Sequence, residues 1–307
     1  MSTTITSRDR LIDILSLSYL GDLLREQLGD DAENYTWPDD FEKAVADIGF
    51  SAVVMRGDTS PYEVLVFGAG LETRTRTVGV GYGGSTKIRK IRFFGDVRRI
   101  PPYGLIDETL LSDIVLPDNL VEISNYGLAN TGFSSIVIPD TVLSIGASAF
   151  QNSKIESINT KNARLSGNAA FSDCKSLTHV EMPEAEGTIP YQTFKNCTSL
   201  VSVHLPKYTN FAVSTTAQTF VDCASMEECV LGSVGYPVTA IGTQTFLRCT
   251  QSGLIITIYT VSAYMSDVIA KTRNTATNAT IIIKAAADIE YNGTTYQAGD
   301  TVLTSTP

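Results

Sequence analysis

Two histidines and one tryptophan are all that the 307 residues hold of those types. They leave little material for a multi-histidine metal site, and no cofactor is expected. Positive charge is also short: 23 Lys and Arg stand against 33 Asp and Glu, a net charge of -10. A protein held to nucleic acid by phosphate contacts needs a basic face, so that partner class is set aside. No apolar run reaches the ~18 residues of a membrane-spanning helix, so no membrane insertion is expected. The first candidate run, Leu11 to Leu24, is broken by Asp13 and Asp22 and lacks a following small-residue cleavage site. It does not fit an export signal, which needs an unbroken apolar centre. At 43% hydrophobic and 18% charged residues the chain is not wholly disordered.

What the sequence does contain is periodicity. Phe171, Phe194, Phe220 and Phe246 are each followed three residues later by cysteine, at Cys174, Cys197, Cys223 and Cys249. Three further residues bring Leu177, Leu200 and Met226, and then a short apolar strand such as Val180-Glu181-Met182-Pro183 or Val203-His204-Leu205-Pro206. Copies extend backwards to Phe150, Leu128 (ending Ile136-Val137-Ile138-Pro139), Leu105 (ending Ile114-Val115-Leu116-Pro117) and Tyr82. Successive anchors are separated by 23, 23, 22, 21, 23, 26 and 26 residues. A unit this short cannot bury its own apolar face, but stacked units share one continuous core. Period-two alternation then points Val180 and Met182 inward and Glu181 outward. Proline after the strand ends the ladder.

The strings Ile145-Gly146-Ala147-Ser148-Ala149-Phe150 and Phe171-Ser172-Asp173-Cys174-Lys175-Ser176-Leu177 running to Pro183 resemble the BspA-type (treponemal) leucine-rich repeat. The resemblance extends from about Tyr82 to Tyr264. It implies a right-handed curved solenoid used for binding, with no catalytic activity of its own. The repeat also accounts for all five cysteines: four sit at the anchor+3 position, and Cys229 occupies the strand position of Val180 and Val203. They read as stacked core thiols rather than a disulfide or metal cluster.

The expected class is therefore an α+β repeat protein: a solenoid over 71–260, a helical N-terminal module over 1–70 and a small β C-terminal cap over 261–307. Helices are expected from Arg8 to Leu28 and from Pro38 to Ile48, and strands over Val64–Phe67 and Thr75–Val80. The module either caps the open end or docks the chain onto a larger assembly. Leu254 to Tyr259 reads as the last strand and Val261 to Thr272 as a capping helix. Thr280 to Lys284 and Ile289 to Thr304 together suggest a β-hairpin with Asn292-Gly293 at the turn.

Candidate binding residues follow from the outward strand column: Arg92, Val115, Val137, Asn159, Glu181, His204, Val230 and Thr257, with Lys90 beside Arg92. Its mixed, partly apolar character suits a recognition surface for a protein or carbohydrate ligand. Arg74, Arg76, Lys87, Arg89, Lys90, Arg92, Arg98 and Arg99 cluster in an otherwise acidic chain. They read as a solvated solenoid end or as a contact for an acidic partner or anionic glycan. His179, Glu181 and His204 lack a nucleophile with an oriented base, and His204 aligns with Glu181 while His179 aligns with Ser202. Arg56-Gly57-Asp58 reads as loop. Val80-Gly81-Tyr82-Gly83-Gly84 lacks the Lys-Ser/Thr end of a phosphate loop. The sequons at Asn34, Asn196, Asn278 and Asn292 carry no weight.

These features support a non-enzymatic recognition or adhesion protein. Its setting would be a phage or prophage particle, or a bacterial surface whose adhesin lacks its leader in this sequence. The rival reading is a virion or scaffold subunit in which the solenoid is a packing spacer.

Overall fold

A computed structural model describes residues 11–14, 52–56, 62–67, 88–94, 97–211 and 218–306. In each coil two chain segments run along the solenoid edge and one layer of side chains fills the interior. The anchors Leu105, Leu128, Phe150, Phe171, Phe194, Phe220 and Phe246 are all fully buried. From Phe150 onward their rings stack face to face, with centroids 5.2, 5.5, 5.5 and 5.4 Å apart.

The strand face is built from β4 (Ile88–Phe94), β6 (Asp113–Ile114), β9 (Ser157–Asn159), β11 (His179–Glu181), β13 (Ser202–Leu205), β15 (Glu228–Leu231) and β17 (Ile255–Thr260). The last five pair in parallel, with Val180 opposite Ile158 and Val203, and Cys229 opposite Val203 and Ile256. All of these inward residues are buried. A second set of short strands carries the buried apolar residue that precedes each anchor turn, an isoleucine or leucine in every coil but one, where it is Phe211. β5 (Arg99–Ile100), β7 (Glu122–Ile123), β8 (Ser144–Ile145) and β10 (Arg164–Leu165) form one sheet. β12 (Gly187–Ile189), β14 (Tyr208–Phe211) and β16 (Ala240–Ile241) form another. Both Tyr208 and Phe211 of β14 are buried, and in the last long repeat the extra residues lie between β15 and β16.

The structure departs from the sequence reading at three places. Leu11–Ile14 is a strand, β1, rather than part of a helix from Arg8 to Leu28. It pairs in parallel with β2 (Ala52–Arg56), and β3 (Tyr62–Phe67) joins β2 to β4. Ile12 and Ile14 are β-branched at alternate positions, and pairing with another β-branched strand overrides the helical spacing of the leucines. Second, Ile136-Val137-Ile138 forms no ladder, so the strand face divides into a sheet ending at β6 and a sheet beginning at β9. The neighbouring coil is joined there through the Glu156 N–H donating to the Ser134 carbonyl, 2.9 Å, ahead of the strand position. Third, β17 is not the last strand. The helix α1 (Ser262–Thr275) crosses over to β18 (Thr280–Ala285), which continues the sheet in parallel. Helix α1 buries Met265, Val268, Ile269 and Thr272 on one face.

The sheet closes with β21 (Thr301–Ser305), antiparallel to β18. Between them β19 (Ile289–Tyr291) and β20 (Thr294–Tyr296) form the expected hairpin. Asn292 and Gly293 at its turn both have positive φ, 51° and 77°, as a primed two-residue turn requires. The strand expected near Val64–Phe67 is present. The second expected helix, the strand over Thr75–Val80, the anchor Tyr82 with its glycine-rich neighbours, Gly57 and Asp58, and Arg74, Arg76 and Lys87 lie outside the described residues.

Candidate binding surfaces

The outward strand column is assembled by register. Asn159, Glu181, His204, Val230 and Thr257 lie side by side on β9 to β17, and the column continues to Ile282 on β18. Asn159 Nδ2 donates to Glu181 Oε2 at 3.3 Å. His179 falls opposite Ser157 and Ser202, so the two histidines do not share a column. Its Nδ1 lies 2.8 Å from the Thr178 hydroxyl. Arg92 lies on β4 in the other sheet, Val115 follows the end of β6, and Val137 stands on the unpaired segment in the coil between the two sheets.

Two of the column's residues are apolar and open to solvent: Val115 is 61% exposed and Val137 80%. Charge rims this apolar pair. Lys90 pairs in register with Asp113, and the Arg92 guanidinium donates to Asp113 Oδ2 at 2.7 Å. That hydrogen bond and the guanidinium charge outweigh desolvation and hold the Asp113 carboxyl below its ordinary range. Arg92 is therefore paired with an acid rather than part of a free basic patch. Arg89, Arg98 and Arg99 are exposed.

The anchor turns form a second surface. In coil after coil the residues at anchor-2 and anchor+2 adopt the left-handed conformation, including Tyr103, Tyr126 and Ala169 before the anchor. After it, Asp107, Asn130, Asn152, Asp173, Asn196 and Asp222 have φ between 54° and 65°. Asn and Asp tolerate this region best among residues with a side chain. The twisted backbone aims the anchor+2 N–H along the solenoid axis, where it donates to a carbonyl of the next coil, as from Asn130 to Gln151 at 2.8 Å. The side chains form a parallel ladder: Asn152 Nδ2 donates to Asn130 Oδ1 at 2.9 Å, and Asn196 Nδ2 to Asp173 Oδ1 at 2.7 Å. Gln192, Gln218 and Gln244 form a similar ladder at anchor-2. In the first coils that column holds Tyr103 and Tyr126, stacked at 5.1 Å and 6°. A trough of about 480 Å³ lies against the tyrosine pair, Asn130, Asn152, Asp173 and Lys175. A second compartment of about 310 Å³ shares its last four residues. Burial pushes the Asp173 carboxyl up, but donors from Asn196, Ser172 and Gln151 and the Lys175 charge leave it lowered. Sequence reasoning missed this surface, although Asp or Asn recurs two residues after six successive anchors.

The interior thiols are chemically quiet. Cys174, Cys197, Cys223 and Cys249 donate to the carbonyls of the preceding anchors at 3.0 to 3.1 Å. All five cysteines are free and buried. Desolvation pushes Cys174 and Cys249 up to about 12, and raises Cys197, Cys223 and Cys229 well above the ordinary thiol range. A thiol so held is a poor nucleophile. Among the described residues no group of three or more His, Cys, Asp or Glu is placed to hold a metal ion. None of their helices is long and apolar enough to cross a membrane.

The sequence matches the family model for the BspA type leucine rich repeat region in six copies, over residues 98–227 and 166–285. Among curated proteins none matches. Two solved structures are similar. A leucine-rich repeat protein from Bacteroides ovatus shares 17% identity over 64% of this chain and 70% of its own, with a TM-score of 0.34. The T. pallidum leucine-rich repeat protein shares 17% identity over 70% of this chain and 89% of its own, also at 0.34.

Proposed function

From the premise that the chain belongs to the BspA-type leucine-rich repeat family, we propose that it is a recognition protein whose strand face binds a protein partner. Such repeat proteins are generally of the protein-interaction or adhesion type and typically non-enzymatic. The observation that carries the reading is the exposure of Val115 and Val137 on consecutive coils. Two solvent-facing valines beside Lys90, Arg92 and Asp113 on one side and Asn159, Glu181 and His204 on the other make an apolar centre with a polar rim, the anatomy of a protein interface. Val230 and Thr257 extend the face.

The setting that suits this face is the outside of a bacterial cell or of a phage particle, with residues 1–70 attaching the solenoid to a larger assembly. Tail and baseplate genes beside its own would mark the particle. The reading is tested by binding the full chain to an array of purified cell-surface proteins, with Val115→Glu/Val137→Glu as the comparison. Loss of binding by about tenfold or more in the variant supports it, since burying an unpaired carboxylate in an apolar contact is costly. Equal binding by both chains, or no binding by either, refutes it. Charge reversal at Lys90 and Arg92 should weaken the same interaction less, because rim charges act mainly on association rate. A chain that self-associates, and becomes monomeric with Val137→Glu, is instead a scaffold subunit.

A further inference from the structure

We propose that the anchor turns carry a second binding site, a trough for a neutral linear oligosaccharide lying along the solenoid axis. It does not rest on the strand-face reading. The trough and its neighbouring compartment, about 480 and 310 Å³, share Asn130, Asn152, Asp173 and Lys175 and so lie against the same rungs of the ladder. Each is within the size range of small-ligand sites.

The lining selects the class of ligand. Asn130 and Asn152 each spend one of two amide N–H groups on the ladder. The second N–H of each, and the Asn152 carbonyl oxygen, remain for a ligand. Planar amide and carboxylate groups offer paired atoms that match adjacent hydroxyls on a sugar ring. In the larger trough the Asp173 carboxylate and the Lys175 ammonium balance each other, leaving no net charge there to favour an ionic ligand; Lys154 lines only the smaller compartment. Tyr103 and Tyr126, with Ile106 and Ala129, give one end an apolar wall for the C–H face of a ring.

The spacing decides between an oligosaccharide and a peptide. The rungs repeat once per coil, ~4.8 Å, the strand separation of the solenoid. That is about the span of one pyranose unit. An extended peptide presents same-face side chains every ~6.6 Å and falls out of step after one rung. The site is also preorganised: left-handed backbone at Asn130 and Asn152 and the ladder bonds hold the amides before a ligand arrives. Less ordering entropy is then lost on binding.

The test uses the full chain and a panel of neutral linear hexasaccharides, α- and β-linked, read by calorimetry. Asn130→Gly/Asn152→Gly keeps the left-handed backbone and removes both amides. The expected result is binding of at least one panel member, weakened about tenfold or more in this variant. Binding should change less than about twofold with added salt, as for an uncharged ligand. Val115→Glu/Val137→Glu should bind the sugar like wild type, so failure of the strand-face reading leaves this result intact. No binding up to about 1 mM, the weak end of specific affinity, overturns the proposal. So does binding that survives loss of both amides, or preference for a peptide or anionic glycan.

Discussion

Replacing Phe194 and Phe246 by leucine, one at a time, isolates what the ring stack contributes. Both rings are fully buried, so both lose about the same apolar area. Leucine suits the position, since Leu105 and Leu128 are buried anchors of earlier coils. The common cost of the smaller side chain, about 1 kcal/mol, cancels between the two variants. Their neighbours differ. Phe194 is sandwiched between Phe171 and Phe220 at 5.5 Å on each side, with interplanar angles of 5° and 4°. Among the described residues Phe246 stacks on Phe220 alone, at 5.4 Å and 16°. A stacked pair contributes about 0.5–1.5 kcal/mol beyond burial. Phe194→Leu should therefore cost about that much more than Phe246→Leu. Urea unfolding followed by far-ultraviolet circular dichroism measures the difference, with unchanged m-values showing that the same cooperative unit unfolds. Equal losses, or a larger loss at Phe246, would mean that the rings act by filled volume alone.

Two further outcomes follow from the interior and the turns. The unfolded chain releases thiol protons near 9, whereas Cys174 and Cys249 hold theirs to about 12 when folded. The folded state binds more protons in this window, so stability is complete below pH 9 and falls as pH rises toward 12. The loss is about 1.4 kcal/mol per thiol at pH 10. Urea midpoints at pH 7 and pH 10 measure it, and the slope should shrink in Cys174→Ala; an unchanged slope refutes the assignment. At Ala169, alanine sits at φ 58°. Ala169→Asn should raise stability by about 0.5–1 kcal/mol by relieving left-handed strain; a lower urea midpoint would contradict the strain argument.

The repeat period, the buried anchors and thiols, the inward and outward strand residues and the Asn292-Gly293 hairpin were all legible in the amino-acid sequence. Each depends on side-chain burial or turn chemistry within one coil, and identical coils repeat the message. Tertiary structure alone decided what depends on neighbours. Leu11–Ile14 became a strand because Ala52–Arg56 was there to pair with it. Val137 lost its ladder because its coil meets the next ahead of the strand position, and the sheet ran past Thr260 because α1 returns the chain to a free edge. The Asn and Asp residues after the anchors were visible as letters. Their role in a ladder beside a trough follows from left-handed backbone and from the stacking of one coil on the next, which no single repeat contains.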